Sequence, residues 1–291
     1  MKKIAVASGK GGVGKSSIAA SLAVLLAEKK DIVVVDCDVD ASNLSIILGG
    51  GEMKKEESVS INEKAIFHPE RCISCSKCRD ICAFSAIDWN EKENMPEINR
   101  YLCEGCGSCS LVCPEDAFIM ERVYNATIGE VETDYGFDLV EGQLTIGEAG
   151  SGKVVEMIKQ RASEKEAEIM LLDVAAGIGC PVTAALKDVD YVIVVTEPSP
   201  AGLSDIKRLM RVVDQFDIDC GILVNKYNLN IRTYEDILKF AEESSVEVIG
   251  KLEYDKTFVE ALTHLKPVLE IDDRYRDIFE DILKGISLKF E

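Results

Sequence analysis

No apolar run reaches the roughly eighteen residues that a membrane-spanning helix needs, so nothing in the chain is expected to cross a bilayer. Met1-Lys2-Lys3-Ile4 leads straight into the first apolar segment, without a cleavable signal pattern, and a cytoplasmic protein is expected. Cations are in deficit: 33 Lys and Arg face 52 Asp and Glu, a net charge of −19. That balance argues against nucleic acid and an anionic membrane surface as partners, and the surplus acid reads as solubility. Histidine is almost missing, and His68 and His264 are expected to be structural or solvated rather than catalytic. The 291 residues suffice for a full α/β domain plus a small module, with a core that needs no staples.

Against these shortages stands one glycine-rich stretch, Gly9-Lys10-Gly11-Gly12-Val13-Gly14-Lys15-Ser16-Ser17. It follows the apolar run Ile4–Ala7 and precedes a helical pattern from Ile18 to Ala27, so it reads as strand, loop and helix. The spacing G-x-x-x-x-G-K-[ST] falls on Gly9, Gly14, Lys15 and Ser16. Glycines let backbone N–H groups turn toward phosphate oxygens, and the helix N-terminus adds partial positive charge. Lys15 is expected on the β- and γ-phosphates and the Ser16 hydroxyl on Mg²⁺.

Further apolar runs alternate with helical patterns. Ile32–Val35, Glu168–Asp173, Tyr191–Thr196, Cys220–Val224 and Val246–Leu252 read as buried strands; Ser204–Phe216, Tyr234–Ser244, Thr257–Leu265 and Asp273–Gly285 read as helices. This alternation indicates a doubly wound, mostly parallel α/β sheet. Asp173 closes an apolar strand and is followed by small residues, as suits a second Mg²⁺-side acid beside a hydrolysis switch. Asp36, Asp38 and Asp40 follow the second strand at the sheet edge where such folds bind ligands. Gly49–Glu57 reads as a flexible, charged joint, and Tyr124–Val140 as short strands or a connector. Gly147–Lys153 superficially repeats the phosphate loop but has Val154 in place of the hydroxyl and no clear buried strand before it; a helix start is expected.

Lys10 is not required by the generic motif. With it, the loop resembles the deviant Walker A of the MinD/ParA/Mrp and nitrogenase iron-protein superfamily. The resemblance implies a MinD-like P-loop ATPase that closes as a homodimer around ATP, with Lys10 touching the partner's nucleotide. It also implies that Asp38 positions the attacking water while Asp36 helps on the Mg²⁺ side; the residues alone do not separate Asp38 from Asp40. Val194–Pro200, with Pro198, is similar to the segment beside the nucleotide. Asn225-Lys226 resembles the element whose Asn meets adenine, and Asn228 leaves the guanine-selecting pattern incomplete, so ATP is favoured.

Of eleven cysteines, eight lie between Cys72 and Cys113. They form Cys72-x2-Cys75-x2-Cys78-x3-Cys82 and Cys103-x2-Cys106-x2-Cys109-x3-Cys113-Pro114, which resembles the bacterial two-[4Fe–4S] ferredoxin run. The resemblance implies crossed fourth ligands: Cys72, Cys75, Cys78 and Cys113 on one cluster, and Cys82, Cys103, Cys106 and Cys109 on the other. Zinc also uses C-x2-C pairs but needs no third cysteine at this spacing, and iron–sulfur is favoured. Ala83 replaces the proline expected after the first run. An α+β ferredoxin-like domain at 62–122 is thus expected inside an ATPase domain of residues 1–61 and 123–291. Cys37, Cys220 and Cys180 are expected to pack inertly, although Cys180 stands seven residues past Asp173, where the nitrogenase iron protein carries a cluster ligand.

The expected function is an ATPase, with ATP, Mg²⁺ and two [4Fe–4S] clusters as cofactors, whose switch gates electron transfer from an unidentified donor to an unidentified acceptor. An iron–sulfur cluster carrier of the Mrp type is the alternative, lowered because no C-x-x-C pair lies outside the insert. A MinD-type positioning ATPase is the second. It would need the C-terminal stretch Ile278-Phe279-Ile282-Leu283-Ile286 at a membrane, where Asp277, Glu280 and Asp281 are unfavourable.

Overall fold

The structure, a computed structural model, describes residues 1–287. In chain order it runs β1 (Lys2–Ala7), α1 (Lys15–Ala27), β2 (Ile32–Asp36), α2 (Leu44–Ile47), β3 (Lys54–Phe67), α3 (Lys77–Ile81), β4 (Ile87–Asn90) and β5 (Met95–Ile98). Next come α4 (Ser108–Val112), β6 (Phe118–Glu132), β7 (Asp138–Leu144), α5 (Ser151–Ser163), β8 (Ile169–Asp173), α6 (Cys180–Leu186) and β9 (Tyr191–Thr196). The chain continues with α7 (Pro200–Gln215), β10 (Asp219–Val224), α8 (Ile231–Glu243), β11 (Glu247–Lys251), α9 (Thr257–Thr263) and α10 (Arg274–Ser287). The main sheet has the order β11-β10-β9-β1-β8-β2-β7-β6-β3.

The pairings from β11 through β7 are parallel, and β2 is buried at every position. Burial on both faces accounts for continuous β-branched runs such as Ile32-Val33-Val34-Val35. Alanine-rich α1 is buried along most of its length in a core completed by Tyr275, Phe279, Ile282 and Ile286 of α10. The apolar side of the C-terminal helix is therefore used in packing.

Two compact units emerge: one of Met1–Glu56, Ile128–Gln143 and Ser151 onward, the other of Glu57–Thr127 and Leu144–Gly150. The second is wider than the expected 62–122. Three local expectations are corrected. The charged joint is strand from Lys54 onward, because Lys54 meets Glu132 at 2.6 Å and Lys55 meets Glu130 at 2.9 Å, both far away in sequence. Tyr124–Val140 resolves into the long β6 and the start of β7. Gly147–Lys153 does follow a largely buried strand, β7, before α5 begins at Ser151.

Candidate functional site

β1 delivers the chain to a glycine loop that turns directly into α1. Gly12 and Gly14 have φ of 78° and 91°, the left-handed region where a side chain is strained. Lys10, Gly11, Gly12, Gly14, Lys15, Ser16 and Ser17 line a cleft of about 500 Å³, and Asp38 faces the same cleft. Gly9 and Val13 do not line it: a Cβ on Gly9 would run into the backbone of Asp205 in α7, and Val13 is buried.

Lys15 is buried and its ammonium rests on the carboxylate of Asp173, itself 1% exposed at the end of β8. Asp36 is equally buried and accepts backbone N–H groups from Asp38 (3.0 Å), Asn43 (3.1 Å) and Leu44 (3.1 Å). It therefore shapes the loop that carries Asp38. Burial and then neighbouring Asp173 push Asp36 up to about 7, against its backbone bonds and Lys15. Asp38 is half-buried, and burial raises it despite Lys15. Asp40 is exposed and outside the cleft, which separates the two acids that sequence could not.

Asn225 and Pro198, the two residues expected beside the nucleotide in this segment, are both buried. Asn225 is 3% exposed, and its amide donates to the Val13 carbonyl (2.8 Å) and accepts from Lys226 N–H (2.9 Å). Its contacts brace the phosphate loop. Pro198 is buried and does not line the cleft. Its neighbour Glu197 is the engaged residue, missed in the sequence because its partner lies 187 positions away. Lys10 donates to Glu197 at 2.5 Å and to the Ser199 hydroxyl at 3.2 Å; Lys226 donates to the same carboxylate at 3.2 Å and to the Gly12 carbonyl at 3.0 Å. Burial pushes Glu197 up, but the hydrogen bonds from Lys10 and Lys226 outweigh it and hold the carboxyl below its ordinary value.

In the second unit the cysteines sort into two quartets. Cys72, Cys75, Cys78 and Cys113 line one cavity with Trp89 and Phe118. Cys82, Cys103, Cys106 and Cys109 line the other with Ala65, Ile98 and Met120. Backbone N–H groups of Ser74, Ala86 and Ala117 donate to the sulfurs of Cys72, Cys82 and Cys113 at 3.2–3.4 Å. Among the described residues, no three His, Cys, Asp or Glu side chains converge as ligands of a single ion. None of the eleven cysteines is in a disulfide.

Cys37 is buried as expected and Cys220 half-buried, but Cys180 is exposed at the start of α6, because the loop between β8 and α6 brings it to the surface instead of into the core. The glycine-rich stretch before α5 contains a pair that sequence gave no reason to expect. Glu148 meets Lys64 at 2.7 Å, both almost fully buried, and Asn125 donates to Glu148 at 3.2 Å. His68 bonds Glu70 and His264 bonds the Glu260 carbonyl, both away from the cleft.

A family model described as the CobQ/CobB/MinD/ParA nucleotide binding domain matches residues 4–268. An uncharacterized protein of Methanocaldococcus jannaschii is 39% identical over 234 residues, 80% of each chain. Nitrogenase iron protein 2 of Methanothermococcus thermolithotrophicus is 26% identical over 302 residues, covering 98% of this chain and 88% of that one. An uncharacterized ferredoxin of M. jannaschii is 36% identical over 73 residues, 24% of this chain and 43% of its own. The crystal structure of the cell division ATPase MinD of Pyrococcus furiosus superposes with a TM-score of 0.59 over 98% of both chains at 16% identity, which shows a shared fold. The phosphate loop, the parallel sheet behind it and the family match together place this chain: it belongs to the CobQ/CobB/MinD/ParA nucleotide-binding family.

Proposed function

We propose that the chain is an Mg²⁺-dependent ATPase that closes as a homodimer and whose nucleotide state gates electron transfer between partner proteins through two [4Fe–4S] clusters. The observation that carries this reading is the sorting of eight cysteines into two quartets within a phosphate-loop chain, each quartet containing the crossed fourth cysteine. Four sulfurs around an apolar cavity, two of them bonded by backbone N–H in the first site, suit a cubane better than a zinc ion, whose ligands lie within about 2.3 Å of one point. Bound clusters would supply one-electron chemistry.

The chain's own residues supply the rest. Lys15 would leave Asp173 for the β- and γ-phosphates, freeing that carboxylate for the Mg²⁺ side with Ser16. Asp36, with its oxygens on three backbone amides, holds the loop so that Asp38 can orient and deprotonate the attacking water. Lys10 would exchange Glu197 for the partner's nucleotide.

Anaerobic purification with iron and sulfide counts, followed by reductive titration with and without ATP, tests this. Eight irons per chain and an ATP-dependent change in electron-transfer rate are expected. Irons present but indifferent to ATP would sink the gating. Transfer of labelled iron to an apo acceptor would replace it with a carrier role.

A further inference from the structure

The two cysteine runs repeat one another, so each hydrogen bond to a sulfur can be matched with its counterpart. The amide four residues past the last cysteine of each run donates to it: Ala86 to Cys82 at 3.2 Å and Ala117 to Cys113 at 3.3 Å. Ser74 N–H donates to Cys72 at 3.4 Å in the first site. These are backbone bonds; one side-chain bond to a sulfur has no counterpart. The Ser108 hydroxyl lies 3.4 Å from the Cys106 sulfur. Once that sulfur is a thiolate it has no proton, so the hydroxyl must donate to it. The matching position in the first run is Lys77, which is exposed, offers no hydroxyl, and carries a charge that solvent screens.

Resting on the cluster reading above, we propose that Ser108 makes the two sites inequivalent. Its hydroxyl raises the reduction potential of a cluster held by Cys82, Cys103, Cys106 and Cys109 above that of its neighbour. A single electron entering from a low-potential donor comes to rest there. The physical reason is that a donor to sulfur stabilises the added negative charge of the reduced state, and Cys106 is an exposed ligand at the rim of its cavity. Each transfer moves one electron and neither makes nor breaks a bond. Ser108 is a positioning residue acting through Cys106.

The test is an anaerobic redox titration of the whole protein followed by electron paramagnetic resonance. Wild type should show two potentials, with at least tenfold more electron on the upper site at one electron per chain, where tenfold corresponds to 59 mV. Ser108→Ala should lower the upper potential only and bring that ratio toward one; Ser108→Thr should restore it. Lys77→Ser, which puts a hydroxyl at the matching position, should raise the lower potential, and it decides the matter if Ser108→Ala loses iron. Eight irons together with an upper potential indifferent to Ser108→Ala would overturn the inference. Absence of iron and sulfide would instead overturn the cluster reading.

Discussion

Glu197 holds Lys10 and Lys226 on one carboxylate, and if Lys10 acts across a dimer that grip must be released first. Glu197→Gln keeps the shape and one acceptor but removes the charge. Lys10 stays charged in the variant, so what is lost is the ion-pair attraction, about 1 kcal/mol at the upper end for such pairs. The Lys10 and Glu197 side chains are only 28% and 19% exposed, so solvent does not erase the difference as it does for surface pairs. Dimer formation releases one Lys10 per subunit. The gain is therefore about 2 kcal/mol, or a roughly thirtyfold lower dimer dissociation constant. Sedimentation velocity over a concentration series, with a slowly hydrolysed ATP analogue, measures it directly. An unchanged or weaker dimer would refute the idea that the Glu197 contact restrains Lys10.

Three further outcomes are expected. Burial pushes Glu130 up, but hydrogen bonds from Lys165, Lys55 and Arg161 hold it down at about 2, below its ordinary 4.5. A depressed carboxyl contributes its stability above its unfolded pKa, so about 3 kcal/mol should be present at neutral pH and vanish as pH falls from about 4.5 to 2. Urea unfolding of wild type and Glu130→Gln should thus converge at low pH, and a constant gap would contradict it. Trp89, the sole tryptophan, lines the first cysteine cavity, so its emission should be quenched as that site loads with iron and sulfide; unchanged emission at full loading would count against that placement. Asn225→Ala removes the brace on Val13 at a cost of about 1–3 kcal/mol. Calorimetry should show ADP and GDP weakened equally, whereas selective loss of ADP would return Asn225 to the adenine.

The strand–loop–helix around Lys15 was legible because its signals are local: an apolar run, glycines at fixed spacing and a helical pattern. The parallel sheet was legible from β-branched runs buried on both faces. What escaped the sequence depends on partners distant in the chain. Lys54 and Lys55 look like a soluble linker until Glu132 and Glu130 are opposite them. Glu197 looks like a loop acid until Lys10 and Lys226 reach it. The bonds of Asn225 to the Val13 carbonyl and from Lys226 N–H are likewise invisible in the sequence, because Val13 lies 212 positions away. Cys180 was expected inside because isolated cysteines usually are, yet its loop leaves it exposed.

The crossing of Cys82 and Cys113 between the two cavities bears on how such a centre is built and lost. Neither run of four lines a complete cavity, so on the cluster reading a half-translated segment would have nothing it could fill. With clusters bound as proposed, loading the first cavity would draw in Cys113 and with it the chain that carries the other three cysteines of the second. Destruction of one such cluster by oxygen would free a thiol that had anchored the opposite run. Molecules with eight irons or none should therefore dominate, and those with four should be scarce.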